Sequence, residues 1–579
     1  MAYYLKQTKL KGRTYLSICD SYYHPEKKQT AQRLYKSYGS VETLKENGMQ
    51  DPVAFYKKKV DEMNKRRNKN KEKEKIRKIG KSPMRHLGYF PFKGVLGGLD
   101  IKKHIEFLGI MRSFQFNLFD AIQALTYARL VSACSKYATF HDVLPKLYDE
   151  YDLSYDQILN ACEFMGSEYE KIVEILTYAV SEKFSVNTDK TYFDCTNFYF
   201  EIDKESDFQK KGYSKENRRD PIVGMGLLLD SNRIPIGLKL FAGNLSEKPI
   251  LRNILNDMKT RNHIKGRTIQ VADKGLNCAN NILSALKNND GYIFSKSVKK
   301  LPQKEQEWVF LNNGMWMDVL DQDNKVKYRY KSCIDRFAYD YTDENGKKHT
   351  IRLKEKRMVT YNPTLARKQR FEIQRQVAKA RGLCLSKAKR NEYGDCSKYV
   401  TFSSTSKGKK TSYKVAVSIN EKAVETALKL AGYNLLVTSE TCMKESEIYN
   451  TYHNLWQIEK SFRIMKSELD ARPVFLQKEN SIKGHFLICY IAVLLERLLQ
   501  YNILDGKYSA SKLMKFAREF MVMKSENKRY INTTASCEVI ERLAEDLSVL
   551  ITNYYLDKAQ INKMLNTKLL PSKRKKPTH

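Results

Sequence analysis

Residues 191–200 read Thr-Tyr-Phe-Asp-Cys-Thr-Asn-Phe-Tyr-Phe, a run of aromatic and β-branched residues with a single acid, Asp194, at its centre. Such a run predicts a buried strand, and a carboxylate in a buried strand is costly unless it is paired or holds a metal. The next hundred residues narrow the fold further. Residues 222–229 and 234–241 flank an Asp230-Ser-Asn232 turn and predict a hairpin. A helix is expected after Ser246-Glu247-Lys248-Pro249, where a cap residue and an early proline mark a helix start. Residues 268–272 then form a strand ending in Asp273-Lys274-Gly275, with a helix over about 278–288 and a short strand at 292–295. The sheet pattern resumes only at 433–438, ahead of a helix-like stretch around residue 460. The order is β-β-β-α-β-α-β, an insertion, then β-α. Asp273, at the carboxyl end of its strand, stands where open α/β sheets place their ligands.

The stretch around residue 460 spaces Tyr452, Glu459 and Lys466 seven apart. At about 100° per residue the three share one helix face with Leu455 and Phe462. An amphipathic core helix carries the same stripe, and an aspartate at a strand-to-helix junction often serves as a cap. Three acids in this order also suit metal chemistry: hard carboxylate oxygens bind Mg²⁺ or Mn²⁺, and two such ions roughly 4 Å apart activate an attacking oxygen and stabilise a departing one.

The strand order and its acids resemble the RNase H-like fold of DDE transposases and integrases. The likeness is closer to bacterial insertion-sequence transposases of the YREK-signature group, which carry Tyr, two residues, Arg, three residues, Glu, six residues and Lys. That register gives Tyr452, Leu455, Glu459 and Lys466, so three of the four match. Arg463 lies one turn beyond the glutamate. Asp194-Cys-Thr196, Ala272-Asp273-Lys274-Gly275, the 212–220 segment and Gly243-Asn244 also look like that group's motifs. The resemblance implies that Asp194, Asp273 and Glu459 are catalytic and hold two Mg²⁺ or Mn²⁺ ions, Asp194 bridging both. It implies DNA contacts for Tyr452, Arg463, Lys466 and Lys274. It further implies a 3′-hydroxyl freed by water at the element end that attacks target DNA, with terminal inverted repeats and target as double-stranded partners and a synaptic homodimer.

Charge points to a polyanion independently. The 579 residues hold 103 Lys and Arg against 66 Asp and Glu, a formal +37. Residues 57–81 contain 13 basic residues, and residues 351–390 another 13 against only Glu355 and Glu372. Both are expected to contact phosphates, each neutralised phosphate adding about 0.9 to the salt slope. The Lys71-Glu-Lys-Glu-Lys75 alternation also suits a solvated helix.

The expected class is α/β: an RNase H-like mixed sheet flanked by helices, interrupted by a β-rich insertion, with an N-terminal α+β DNA-binding region and helical flanking regions. The regions are 1–85 with the basic helix, 86–188 helical, 189–298 and 431–500 for the two parts of the core, 299–430 for the insertion, and 501–579 helical. An insertion of that length is expected to fold on its own. Trp308 and Trp316 within it read as core residues rather than base-stacking platforms. The 11 cysteines are odd in number and lack a CxxC pair, against a disulfide frame or zinc site. Cys195 reads as strand packing, and His453 and His485 as unsuited to Mg²⁺. The first residues turn polar at once, and the apolar run at 486–495 is half a membrane span. A soluble, cytoplasmic, nucleoid-associated bacterial protein is expected. Two rivals share these features: an RNase H-like structure-specific nuclease without strand transfer, and a non-catalytic DNA-binding descendant.

Overall fold

The computed structural model describes residues 2–24, 29–77, 82–110, 112, 114–215, 219–343, 345–386, 390–404, 415–472, 474–525 and 529–571. Two units, Met1–Pro83 and Met84–His579, divide the chain. The first is an antiparallel sheet of β1 (Tyr3–Leu10), β2 (Arg13–His24) and β3 (Gln29–Ser40), followed by α1 (Val41–Glu46) and α2 (Pro52–Arg77). Lys11 and Gly12 both take positive φ, 47° and 77°, as a two-residue hairpin loop requires to match the strand twist. Buried Asp20 pairs with Arg67 at 2.5 Å and Arg33 at 2.9 Å, which hold its carboxyl below the usual range. Arg67 of the basic helix therefore serves the fold. Lys57, Lys58, Lys59, Lys65, Arg66 and Lys69 are exposed, while residues 78–81 of that run lie outside the described residues.

The second unit opens with β4 (Met84–His86) and a helical layer: α3 (Phe90–Leu99), α4 (Lys102–Ile110), α5 (Leu118–Val131), the single turn α6 (Lys136–Ala138), α7 (Tyr155–Ser167) and α8 (Tyr169–Lys183). The sheet elements follow in the expected order: β5 (Lys190–Tyr199), β6 (Ile222–Leu229), β7 (Pro235–Ala242), α9 (Glu247–Thr260), β8 (Ile269–Ala272), α10 (Ala279–Lys287) and β9 (Gly291–Lys296). The insertion holds α11 (Gln303–Phe310), β10 (Met317–Leu320), β11 (Val326–Thr342), β12 (Lys348–Tyr361), α12 (Pro363–Leu385), β13 (Val400–Ser404), β14 (Val415–Ile419) and α13 (Glu421–Leu430). Then come β15 (Tyr433–Thr438), α14 (Glu445–His453), α15 (Trp456–Arg463), α16 (Glu479–Leu498), α17 (Ala510–Glu519), β16 (Met521–Lys524), β17 (Tyr530–Asn532), α18 (Glu538–Leu547), β18 (Tyr555–Leu556) and α19 (Lys558–Asn566).

One nine-stranded sheet runs β10-β11-β12-β15-β9-β8-β5-β6-β7. β5, β8 and β9 are parallel; the other pairings are antiparallel. The insertion therefore does not stand apart as expected. Its long hairpin joins the sheet through β12 and β15, because an unpaired edge at β15 would leave backbone donors and acceptors open. The later part, α12 to α13, has small cores of its own around Ile373, Val377 and Tyr399, and around Ala380 and Tyr393. Residues 326–342 of the β-rich insertion form a single strand, β11. The tail is not wholly helical either, since β16, β17 and β18 form a small sheet with β4.

Alternation along β5 sends Phe193 and Cys195 to one face, against α9 and α10, and Tyr192 and Phe198 to the other. The apolar run 486–495 lies in α16 and is at most 1% exposed at every residue. A helix apolar on all sides belongs in a core, and α16 sits between the helical layer and the sheet. A Cβ on Gly484 would strike the Cys162 carbonyl, and one on Gly166 the Asn480 carbonyl, so these glycines let α7 and α16 cross backbone to backbone. Among the described residues no helix is long and apolar enough to cross a membrane.

Candidate active site

β5 and β8 run in parallel with Phe193 opposite Ala272. The next residue on each chain is an aspartate, so register sets Asp194 beside Asp273. Asp194 is 23% exposed. Its Oδ1 accepts the Cys195 N–H at 2.7 Å and lies 3.8 Å from Lys215 Nζ. Burial pushes its carboxyl up to about 6; Lys215 and the Cys195 N–H oppose the rise, and the Glu247 and Asp273 charges add to it.

Lys215 arrives from the 212–220 segment. A Cβ on Gly212 would collide with the Gly243 carbonyl, so glycine permits that segment to cross the end of β7. Lys215 Nζ lies 3.4 Å from Glu247, the first residue of α9, and donates to the Cys195 carbonyl. Burial works against its charge, yet Asp194 and Glu247 hold the ammonium pKa above its ordinary value. Sequence reading missed Lys215 and Glu247 as site residues. Their signals were present in the 212–220 segment and in the helix start at Ser246, but only tertiary contact joins them to Asp194.

Asp273 Oδ1 accepts the Tyr452 hydroxyl at 2.9 Å. Burial, and next the Asp273 charge, push that hydroxyl well above its usual pKa. The stretch beyond it is not one helix. α14 ends at His453, a turn passes through Asn454 and Leu455, α15 starts at Trp456, and a π-helical turn spans Ile464–Glu468. The seven-residue stripe is thus interrupted twice, and the wider π turn rotates Lys466 away from an ideal α-helical position. Leu455 packs against the larger core and Phe462 is buried within it.

Glu459 is exposed on α15, which packs on β5. Among the described residues no three His, Cys, Asp or Glu side chains stand close enough to hold a metal ion. Of the three expected acids, register sets Asp194 and Asp273 side by side, and Glu459 lies on the helix that packs against β5. Lys215 offsets only part of the cost of burying Asp194, whereas Glu459 is exposed and carries little such cost. His453 stacks on Tyr449 and is hydrogen-bonded through Nδ1 to the Tyr449 carbonyl at 2.8 Å.

The Lys466 ammonium lies 5.4 Å from the ring centre of Phe198, four residues along β5 from Asp194. Arg463 and Lys274 are exposed. Lys460, missed in the sequence, stacks 3.6 Å over Trp456. Burial, then the Arg497, Arg233 and Arg463 charges, lower its pKa, so this side of α15 concentrates positive charge. The basic run 351–390 divides between the interior and the surface. Arg357 is buried with Glu305 at 2.5 Å and Glu355 at 2.7 Å, and buried Lys356 reaches Glu445 at 3.2 Å, because β12 is interior to the sheet. Arg367, Lys368, Arg370, Arg375, Lys379 and Arg381 on α12 are exposed, and residues 387–389 lie outside the described residues. Trp308 and Trp316 flank Lys331 Nζ at 5.1 and 4.9 Å and pack on the smaller core.

The sequence profile of the transposase DDE domain matches residues 193–495, more than half of the chain. The chain belongs to the DDE transposase family. The matched span starts one residue before Asp194 and includes Asp273, Tyr452, Glu459 and Lys466. The domain is that of enzymes that cut DNA and transfer strands, and DDE transposases generally use divalent metal ions. A cryo-EM structure of a piggyBac transposase synaptic complex with hairpin DNA is similar to this transposase with a TM-score of 0.36 and 8% identity, over 79% of this chain and 76% of that one. No curated protein matches the sequence.

Proposed function

We propose that this transposase belongs to an insertion sequence, binds its terminal inverted repeats, and performs metal-dependent cleavage and strand transfer on an RNase H-like core with Asp194, Asp273 and Glu459 as its acids. The observation that carries the reading is the β5–β8 register, which sets two aspartates side by side at adjacent parallel strands. The strand order β9-β8-β5-β6-β7, with a glutamate on a helix packed against β5, supports it. Three of the four YREK positions support the narrower assignment.

The donors are carboxylate oxygens, which suit Mg²⁺ or Mn²⁺, and the charge of Asp273 already raises the Asp194 pKa, so a cation between them would relieve repulsion. Asp194, Asp273 and Glu459 would hold the ions. When bound, such ions activate the attacking oxygen and stabilise the leaving one. The chain's own groups have separate tasks. Tyr452 orients Asp273 through its hydroxyl, Lys215 balances Asp194, and Lys466, Arg463 and Lys274 offer cations to the phosphates of double-stranded DNA. The reading extends to a synaptic homodimer at the bacterial nucleoid.

The test is cleavage and joining of a labelled duplex carrying the element's terminal repeat, with Mg²⁺, beside the Glu459→Ala protein. Nicking at the repeat boundary with joined product, both absent in the variant, is expected. Cleavage without joining would move the reading to a nuclease, and binding without cleavage to a DNA-binding descendant.

A further inference from the structure

A cavity of about 240 Å³ opens between α6, α7, α16, Asp470 and Val474–Leu476, away from the carboxylates. Three of its side chains are almost fully buried: Arg129 at 6% exposure, Lys136 at 7% and His485 at 5%. Arg129 donates to the Cys134 carbonyl at 2.8 Å and the Leu469 carbonyl at 3.4 Å, which commits two of its five N–H groups. Lys136 Nζ lies 3.4 Å from His485 Nδ1, and His485 Nε2 lies 3.3 Å from the Ala471 carbonyl. Nε2 therefore carries the imidazole proton, and Nδ1 accepts from the ammonium.

Carbonyls and a neutral imidazole orient these two positive charges and cancel neither. Asp470, the acid at the rim, forms no ion pair with either cation among the described residues. Burial raises the Cys162 and Cys489 thiols facing Lys136, so they stay neutral, and Glu163 nearby is engaged by Lys478 at 2.8 Å. Burial draws the Lys136 pKa down to about 8, which leaves it charged at neutral pH. Two buried cations without a counter-charge are costly. At about 30 Å³ per water, the space exceeds what a phosphate group alone would fill. The rim offers exposed rings, Tyr137 at 61% and Phe475 at 76%.

We propose that this cavity binds a phosphate monoester, its dianionic head between Lys136 and Arg129 and its organic part against Tyr137 and Phe475. A monoester carries nearly two negative charges at neutral pH, which matches two cations; a backbone diester carries one. The source is a free mononucleotide or the terminal 5′-phosphate of a DNA strand, and the assignment does not depend on which acids perform catalysis.

Thermal unfolding of the full chain at constant ionic strength, with thymidine 5′-monophosphate, inorganic phosphate, thymidine or chloride, tests it. The two phosphates are expected to raise the midpoint, and thymidine and chloride are not. Lys136→Met, checked by circular dichroism for a native fold, should bind both phosphates about tenfold or more weakly, as loss of one charge-assisted hydrogen bond requires. If that variant does not fold, Phe475→Ala at the exposed rim should weaken the nucleotide response and spare inorganic phosphate. Duplexes differing only in a 5′-phosphate separate the sources: tighter binding of the phosphorylated end, lost in Lys136→Met, assigns the monoester to DNA. Equal binding, with the nucleotide response kept, assigns it to a free nucleotide. A wild-type response no greater than that to chloride, or an equal response in Lys136→Met, overturns the proposal.

Discussion

Glu355 holds the seam where the inserted hairpin joins the core sheet, and its removal is expected to open that seam. The carboxylate is fully buried. It accepts the Tyr292 hydroxyl at 3.0 Å, the Tyr339 hydroxyl at 2.8 Å and Arg357 Nε at 2.7 Å. Arg357, 2% exposed, has Glu305 as its other acid partner and lies 3.4 Å over Phe337. Glu355→Ala leaves a buried guanidinium with one carboxylate and two buried phenols without their acceptor. Breaking a buried pair costs about 3–5 kcal/mol, and each orphaned hydroxyl adds about 1–3 kcal/mol. With local relaxation the expected loss is about 4–6 kcal/mol, comparable to the whole stability of many domains. Hydrogen exchange reads this locally. Peptides from β11, β12 and β15 should exchange roughly 10³- to 10⁴-fold faster, while those from α7 and α16 keep their protection. The hairpin also holds the first residue of α14, since Glu445 accepts Ser332 Oγ at 2.9 Å and Lys356 Nζ at 3.2 Å. End cleavage should therefore fall together with protection. Exchange within tenfold of wild type across β12 would refute the reasoning.

Tyr452→Phe keeps the ring and removes the bond to Asp273, so cleavage should fall by about 10- to 150-fold, the kinetic equivalent of about 1.5–3 kcal/mol, with an unchanged melting temperature; wild-type cleavage would remove Tyr452 from the site. Glu496 is fully buried, neither carboxylate oxygen has a hydrogen-bond partner among the described residues, and Arg497 Nε stands 3.6 Å away. Burial pushes its pKa from 4.5 up to about 7, Arg497 opposing and Glu468 adding to the rise. The folded state thus holds this proton more tightly than the unfolded state. Its stabilising contribution is present below pH 4.5 and lost as pH rises through about 7. Glu496→Gln should flatten that decline and raise Tm at pH 8; a steeper decline would contradict the sign. Gly484→Ala forces α16 off α7 and should cost about 1–3 kcal/mol or more, read as a lower Tm in the folded variant. Reversal of Lys57, Lys58 and Lys59 to Glu should weaken DNA binding at physiological salt and lower the salt slope by about 0.9 for each lost phosphate contact, whereas an unchanged slope would make α2 a solvated helix.

Much of this arrangement is legible in the chain. The strands around Asp194 and Asp273, the hairpin between them and their order follow from β-branched and aromatic runs broken by Asp230 and Gly275, since burial and turn chemistry are local. Lys215 and Glu247 were not legible as site residues, because their role depends on Gly212 meeting Gly243 across the end of β7. The buried charges of β12 were misread for a related reason. A run of Lys and Arg looks like surface until pairing with β15 places Glu355, Lys356 and Arg357 inside the sheet.

Helical periodicity marked Tyr452, Glu459 and Lys466 as one face, and Tyr452 does reach Asp273. The sequence by itself determined which residues alternate, which runs are buried, where acids interrupt them and how much positive charge the chain carries, because each depends on neighbours within a few residues. Only the tertiary structure decided that Asp194 pairs with Lys215, that Glu459 is exposed on α15, and that Arg129, Lys136 and His485 enclose one cavity. Those outcomes depend on packing between segments from about twenty to several hundred residues apart, where backbone approach and the cost of burying charge select among side-chain positions that the local pattern leaves equal.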